Sequence, residues 1–195
     1  MRRLPLSMCF AFTLTAFALS LPTPIANAVG STVSDGLKQG DPIGAFRVTK
    51  IGGATDDDVE PGDFLCYRCR YGSSPMVMVF ARKAGPKSIE LATKLDSAIG
   101  QHASSKLRGL FTFIGEDAAN LKKVATTFAE QSGVVHVPVV IAEDTQNGPI
   151  DYRIAEDADI TIVIAQDSQV FTSHVFDADA IDVTQVIGDV EKMLQ

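Results

Sequence analysis

The sequence predicts an α/β fold: a central mixed sheet with helices on both faces, closed at the C-terminus by a β-hairpin and a helix. Three observations carry that expectation. Met76-Val77-Met78-Val79-Phe80 is an unbroken apolar run bounded by Pro75 and Arg82, the pattern of a strand covered on both faces. Strand-like runs then alternate with stretches whose apolar residues recur at helical spacing, which implies right-handed crossovers and a largely parallel sheet centre. Ile160-Thr161-Ile162-Val163-Ile164, the turn Gln166-Asp167-Ser168-Gln169 and Val170-Phe171-Thr172 read as strand, turn and strand.

In chain order, Met1-Arg2-Arg3, an apolar run from Met8 to Leu21 and Ala26-Asn27-Ala28 form the basic, apolar and Ala-x-Ala parts of a secretory signal peptide cut after Ala28. Thr13, Thr15, Ser20, Pro22 and Pro24 keep the run short of the roughly 20 residues of a membrane span. Cleavage leaves 167 residues, enough for one domain with its own core. It removes two arginines and no acid, so the formal charge goes from −7 to −9, which argues against a nucleic-acid partner. The expected location is periplasmic or extracellular, with no stable membrane span after processing.

Residues 29 to 45, rich in Gly, Ser, Asp and Pro, read as a surface lead-in, and residues 46 to 195 as the folded domain. Phe46 to Ile51 alternates as a half-buried strand ended by Gly52-Gly53, and Asp56-Asp57-Asp58 reads as a solvated acidic turn. Ile89, Leu91, Ala92, Leu95, Ala98 and Ile99 lie on one helix face, after a start at Lys87 or Ser88. Leu110 to Ile114 is a strand. Asp117 is an N-cap for a helix carrying Leu121, Val124, Ala125 and Phe128 to a stop at Gly133. Val137 to Ile141 is a short strand, and Ile181, Val183, Val186, Ile187, Val190 and Leu194 form the closing helix.

The chemistry centres on Cys66-Tyr67-Arg68-Cys69-Arg70, in the predicted loop leading into the Met76 strand. Cys9 leaves with the leader, so Cys66 and Cys69 have only each other in a compartment where thiols oxidise. Three chemistries stay open for such a pair: a redox couple, a structural disulfide, or thiolate metal ligation. Arg68 and Arg70 are candidates to stabilise a thiolate, since nearby cations lower a thiol pKa. A purely structural role gains little, because so small a ring removes much less unfolded-chain entropy than the roughly 3 kcal/mol of a 15-residue loop. Metal would need further ligands, and among His102, His136 and His174 the best placed is His136, beside the predicted central strands. An oxidising compartment favours the disulfide, so no metal and no cofactor are expected. Tyr67 and Tyr71 are expected to cover the sheet edge.

The order of elements resembles the thioredoxin-like superfamily, in its peroxiredoxin and extracytoplasmic thiol-oxidoreductase branch. The resemblance rests on Gly40-Asp41-Pro42-Ile43-Gly44-Ala45-Phe46, Met76 to Arg82, Phe113-Ile114-Gly115-Glu116-Asp117, Val137 to Asp144, Tyr152-Arg153-Ile154, and Ile160 to Val170. It covers most of residues 40 to 195. It implies a thioredoxin-like fold and a nucleophilic cysteine after the first central strand, at a helix N-terminus. Here Ala81-Arg82-Lys83-Ala84-Gly85-Pro86-Lys87-Ser88 holds no cysteine, so a peroxidase or thioredoxin mechanism at that place is excluded. The family's cis-proline position falls on Ile160, where a cis bond would cost about 2.5 to 4 kcal/mol and trans geometry is expected. Two function classes follow. One is thiol-disulfide exchange or redox sensing by the displaced Cys66/Cys69 pair, with a protein dithiol or disulfide as partner. The other is a redox-inactive scaffold or binding domain in which the pair is structural.

Overall fold

The apolar runs pair into a seven-stranded sheet: β1 (Val48–Gly53), β2 (Phe64–Leu65), β3 (Met76–Ala81), β4 (Arg108–Phe113), β5 (Pro138–Ala142), β6 (Ile160–Gln166) and β7 (Gln169–Phe176), in the spatial order β2-β1-β5-β4-β3-β6-β7. Among the described residues four α-helices accompany them: α1 (Tyr67–Tyr71), α2 (Pro86–Gln101), α3 (Ala118–Ser132) and α4 (Val183–Met193). The computed structural model describes residues 36–195, which lie within one compact unit, Val33–Gln195. The signal-peptide reading of residues 1 to 28 and the predicted cut after Ala28 lie outside the described residues. Among the described residues no helix is long and apolar enough to cross a membrane.

β3 is central, and all six of its residues are buried. Its alternation divides the interior. Val77, Val79 and Ala81 face a cluster with Leu91, Leu95, Phe128 and Val186 from the three long helices. Met76, Met78 and Phe80 face a second cluster with Leu37, Ile43, Phe46, Tyr67 and Tyr152. Burying each large apolar side chain contributes about 1.5 to 3 kcal/mol, so both faces are needed to hold this strand. Phe46, Phe80 and Tyr152 form one aromatic group, with ring centroids 5.0 to 5.6 Å apart.

The sheet is mixed, and its parallel part is smaller than strand-helix alternation suggests. Only β3–β4 and β4–β5 pair in parallel, while β6 runs antiparallel to β3, β7 to β6, and β1 to both β5 and β2. The connection after β5 explains this. It contains only a 3₁₀ turn, Ile150–Tyr152, and delivers Ile160 beside Ala81 at the C-terminal end of β3. No crossover helix carries the chain back to the other end, so β6 must run the opposite way.

The lead-in is less superficial than its composition implies. Leu37 and Ile43 are buried, Pro42 bridges Gln169, and Gly40 N–H donates to Val170 O at 2.8 Å. Residues 37 to 46 therefore run beside the start of β7 and close the second cluster. Asp117 caps α3 by accepting from Ala119 and Asn120 N–H, and Gly133 ends that helix in the left-handed region at φ 59°. Pro86 opens α2 at N1, one residue earlier than the Lys87 start the spacing suggested.

Candidate redox site

The cysteine pair sits not in a loop but at the start of a short helix. β2 pairs Leu65 with Val48, and the chain then turns into α1 with Cys66 as N-cap in extended geometry, φ −116° and ψ 100°. Cys66 and Cys69 are joined by a disulfide with a Cα–Cα distance of 5.3 Å. Cys69 N–H, a donor with no carbonyl partner in the first turn, is 3.1 Å from Cys66 Sγ and donates to it. Cys66 is half-buried and Cys69 is exposed.

What holds α1 in place is a polar latch that the sequence reading missed. Lys50 lies on β1 at the inward parity of Val48 and is only 2% exposed. Its ammonium donates to Ala54 O at 2.7 Å, Val59 O at 2.7 Å and Asp57 Oδ1 at 2.6 Å, so all three donors are satisfied. Asp57 Oδ2 accepts from Tyr67 OH at 2.5 Å, while Asp57 O accepts from Arg70 Nη2 at 2.9 Å. Asp57 thus departs from the solvated acidic turn expected of the run, while Asp56 and Asp58 remain exposed. Asp57 bridges β1 to α1, and Asp56 Oδ2 meets His136 Nδ1 at 3.0 Å. A lysine at the inward parity of an alternating strand, followed within a few residues by three aspartates, was the available signal.

Tyr67 is buried and Tyr71 OH donates to Gly109 O at 3.0 Å, so both tyrosines cover the sheet. Burial, reinforced by the hydrogen bond to Asp57 and its charge, pushes the Tyr67 phenol far above its usual range. Burial does the same for Tyr71 and Tyr152. The candidate thiolate stabilisers spend hydrogen bonds on carbonyls: Arg70 on Asp57 O, and Arg68 Nη1 on Gly72 O at 3.1 Å. Any help to a thiolate from these two is therefore through space. His136 pairs with Asp56, His174 Nε2 meets Asp189 Oδ2 at 3.1 Å, and His102 ends α2. Among the described residues, no three His, Cys, Asp or Glu side chains gather in a group able to hold a metal.

The turn between β3 and α2 is built from different parts. Lys83 Nζ pairs with Asp159 Oδ1 at 2.8 Å, and Arg82 N–H donates to Asp159 O at 2.8 Å. The Lys83 hydrogen bond holds the Asp159 carboxyl below its usual range and raises Lys83. Asp159 immediately precedes β6, and every described peptide bond is trans, Asp159–Ile160 included. A cavity of about 460 Å³ opens beside this turn, floored by Pro86, Ile89, Val124 and Phe128. It belongs to the helical face of the sheet, whereas Tyr67 of α1 packs on the other.

No family model matches the chain, and no curated protein sequence matches it. Solved structures match over most of its length. A chain described as a putative thiol:disulfide interchange protein DsbE from Chlorobium tepidum is 14% identical with a TM-score of 0.57, covering 82% of this chain and 99% of that one. Mycobacterium tuberculosis AhpC is 14% identical with a TM-score of 0.59, again over 82% and 99%. The fold is thioredoxin-like. A cysteine-to-serine mutant of Xylella fastidiosa PrxQ agrees, at 10% identity and a TM-score of 0.53 over 82% and 98%. Within this thioredoxin-like frame β3 is the first central strand, so the turn at Arg82 to Pro86 stands where the resemblance placed a nucleophilic cysteine. A lysine–aspartate pair occupies it here.

Proposed function

We propose that this is an exported protein whose Cys66/Cys69 pair performs or senses thiol–disulfide exchange. The observation that carries this reading is the disulfide itself: it closes the first turn of α1, from the N-cap Cys66 to Cys69, with one sulfur on an exposed residue, in a thioredoxin-like fold. The fold shared with DsbE supports it, and so does the apolar leader ending Ala26-Asn27-Ala28. A disulfide closing a ring between residues three apart in sequence adds little to stability, so a chemical role accounts for it better than a mechanical one. Exchange runs by thiolate attack on a disulfide through a mixed-disulfide intermediate, and needs neither metal nor cofactor. The partner is a protein dithiol or disulfide.

One observation favours a second reading. The turn before α2 is latched by Lys83 and Asp159 and holds no sulfur, as expected of a redox-inactive binding domain whose disulfide is structural. Insulin reduction and mixed-disulfide trapping on the protein purified without reductant separate the two. Turnover or a trapped partner supports exchange. Inertness of the intact pair toward both would overturn the exchange reading and leave the scaffold. Free-thiol titration with elemental analysis is expected to find the disulfide and no stoichiometric zinc or copper; two free thiols with one metal per chain would favour a metal site instead.

A further inference from the structure

The two sulfurs of the disulfide are not equivalent, and resting on the exchange reading, we propose that Cys69 is the sulfur that bonds to partners in both directions while Cys66 is the departing and resolving sulfur. Thiol–disulfide exchange proceeds in line, so the attacked sulfur must be reachable from the side opposite its disulfide mate. Cys69 is exposed on the outer surface of α1. Cys66 is half-buried, pinned between Leu65, which pairs with Val48, and Tyr67, which is buried.

The leaving group points the same way. When the bond breaks, negative charge collects on Cys66 Sγ, which already accepts from Cys69 N–H at 3.1 Å. A donor to the charged form lowers a pKa, and a thiol of lower pKa leaves faster. That donor is backbone, and its helix is held by Tyr67 on Asp57 and Tyr71 on Gly109, so it stays in place after the disulfide opens.

Atoms and electrons balance at each step. A partner thiolate attacks Cys69 Sγ, forming the intermolecular disulfide, and the Cys66–Cys69 bond breaks with its electron pair on Cys66 Sγ. The partner's second thiolate then attacks the partner sulfur of the mixed disulfide, and Cys69 leaves as a thiolate. The partner dithiol has given up two electrons and two protons, and the pair, once protonated from solvent, has gained them. In reverse, the Cys69 thiolate attacks a partner disulfide, and Cys66 attacks Cys69 Sγ to expel the partner.

The test uses the oxidised full domain as it stands, with reduced glutathione as probe. After brief exposure, acid quench and peptide mapping by mass spectrometry, the glutathione adduct is expected on Cys69 in at least about ten-fold excess over Cys66. In parallel, Cys66→Ser is expected to accumulate a mixed disulfide with insulin, and Cys69→Ser not to. Alkylation against pH should titrate Cys66 of Cys69→Ser below Cys69 of Cys66→Ser, because residue 69 keeps its backbone donor. Adduct on Cys66, or equal adduct on both, overturns the ordering and leaves the exchange reading standing. Adduct on neither sulfur overturns both.

Discussion

Two helices begin on opposite faces of one strand, and they begin differently. α2 is long, opens at Gly85-Pro86 after the C-terminal end of β3, and carries no sulfur; its entry is tied by an ion pair whose lysine is largely exposed. α1 is five residues long, precedes β3, and starts at the cysteine pair. So short a helix is not stable alone. It is kept by Tyr67 and Tyr71 against the sheet and by the buried Lys50–Asp57 pair. The comparison teaches that a cysteine pair can be seated in this fold away from the helix after the central strand. What seats it here is an anchored turn with Cys69 exposed, and a buried ion pair helps to supply the anchor.

The largest expected effect breaks the comparison at the cysteines. Cys66→Ser should abolish catalytic turnover in insulin reduction, to below about 1% of wild type, because the mixed disulfide has no resolving thiol. Substitutions at the α2 turn should leave turnover near wild type. If Lys83→Ala silenced exchange while Cys66→Ser did not, the site would lie at the turn after β3 and the comparison would reverse.

The next effect concerns the anchor. Asp57→Ala leaves the Lys50 ammonium, 2% exposed, with two carbonyls and no counter-charge, and strips Tyr67 OH of its acceptor. Removing one partner of a buried pair typically destabilises by about 3 to 5 kcal/mol. Thermal or denaturant unfolding should register a loss in that range, and Asp57→Asn a smaller one because it keeps an acceptor. A loss under about 1 kcal/mol would show that α1 is held by packing alone.

The sheet and its helices were legible because apolar periodicity is local. Met76 to Phe80, the Asp117 cap and the Gly133 stop each announce themselves within a few residues. Placing β3 as the strand before the empty turn followed from order and spacing. Two things were not legible. The lead-in has surface composition, yet Leu37 and Ile43 bury because β7, more than 120 residues later, offers an edge at Gln169 and Val170. The Lys50–Asp57–Tyr67 latch joins three segments, and a charged residue on an inward parity has no reading until its partner is placed. The cysteines were visible, but their unequal exposure depends on β2 and Tyr67 pinning only one of them.

A third effect is alkaline. The folded pKa values of Tyr67, Tyr71 and Tyr152 are raised, chiefly by burial. A raised pKa gives stability that is fully present below the unfolded value of about 10 and is lost as pH climbs above it. Each tyrosine that ionises only in the unfolded chain steepens that loss by about 1.4 kcal/mol per pH unit. Tyr67→Phe should therefore be less stable than wild type at pH 8, for want of the bond to Asp57, and should fall less steeply above pH 10. Parallel slopes in urea titrations from pH 9 to 11.5 would show that Tyr67 ionises freely in the folded protein.

The smallest effect lies at the other helix. Asp159 has its folded pKa lowered, first by the hydrogen bond from Lys83. A lowered carboxyl contributes stability that is present above the unfolded value near 4 and is lost as pH falls through the folded one. The Lys83 side chain is 72% exposed, so solvent screens the pair and Lys83→Ala should lower stability only slightly at pH 7. The wild-type advantage should shrink in 1 M salt and vanish below the Asp159 folded pKa, where the carboxyl is protonated. Asp159 also accepts from Ala178 N–H at 3.2 Å, so Asp159→Ala should be worse than Lys83→Ala. Equal effects from the two substitutions would mean that the ion pair alone ties the turn, and a loss in Lys83→Ala as large as that in Asp57→Ala would remove the contrast between the two helix starts.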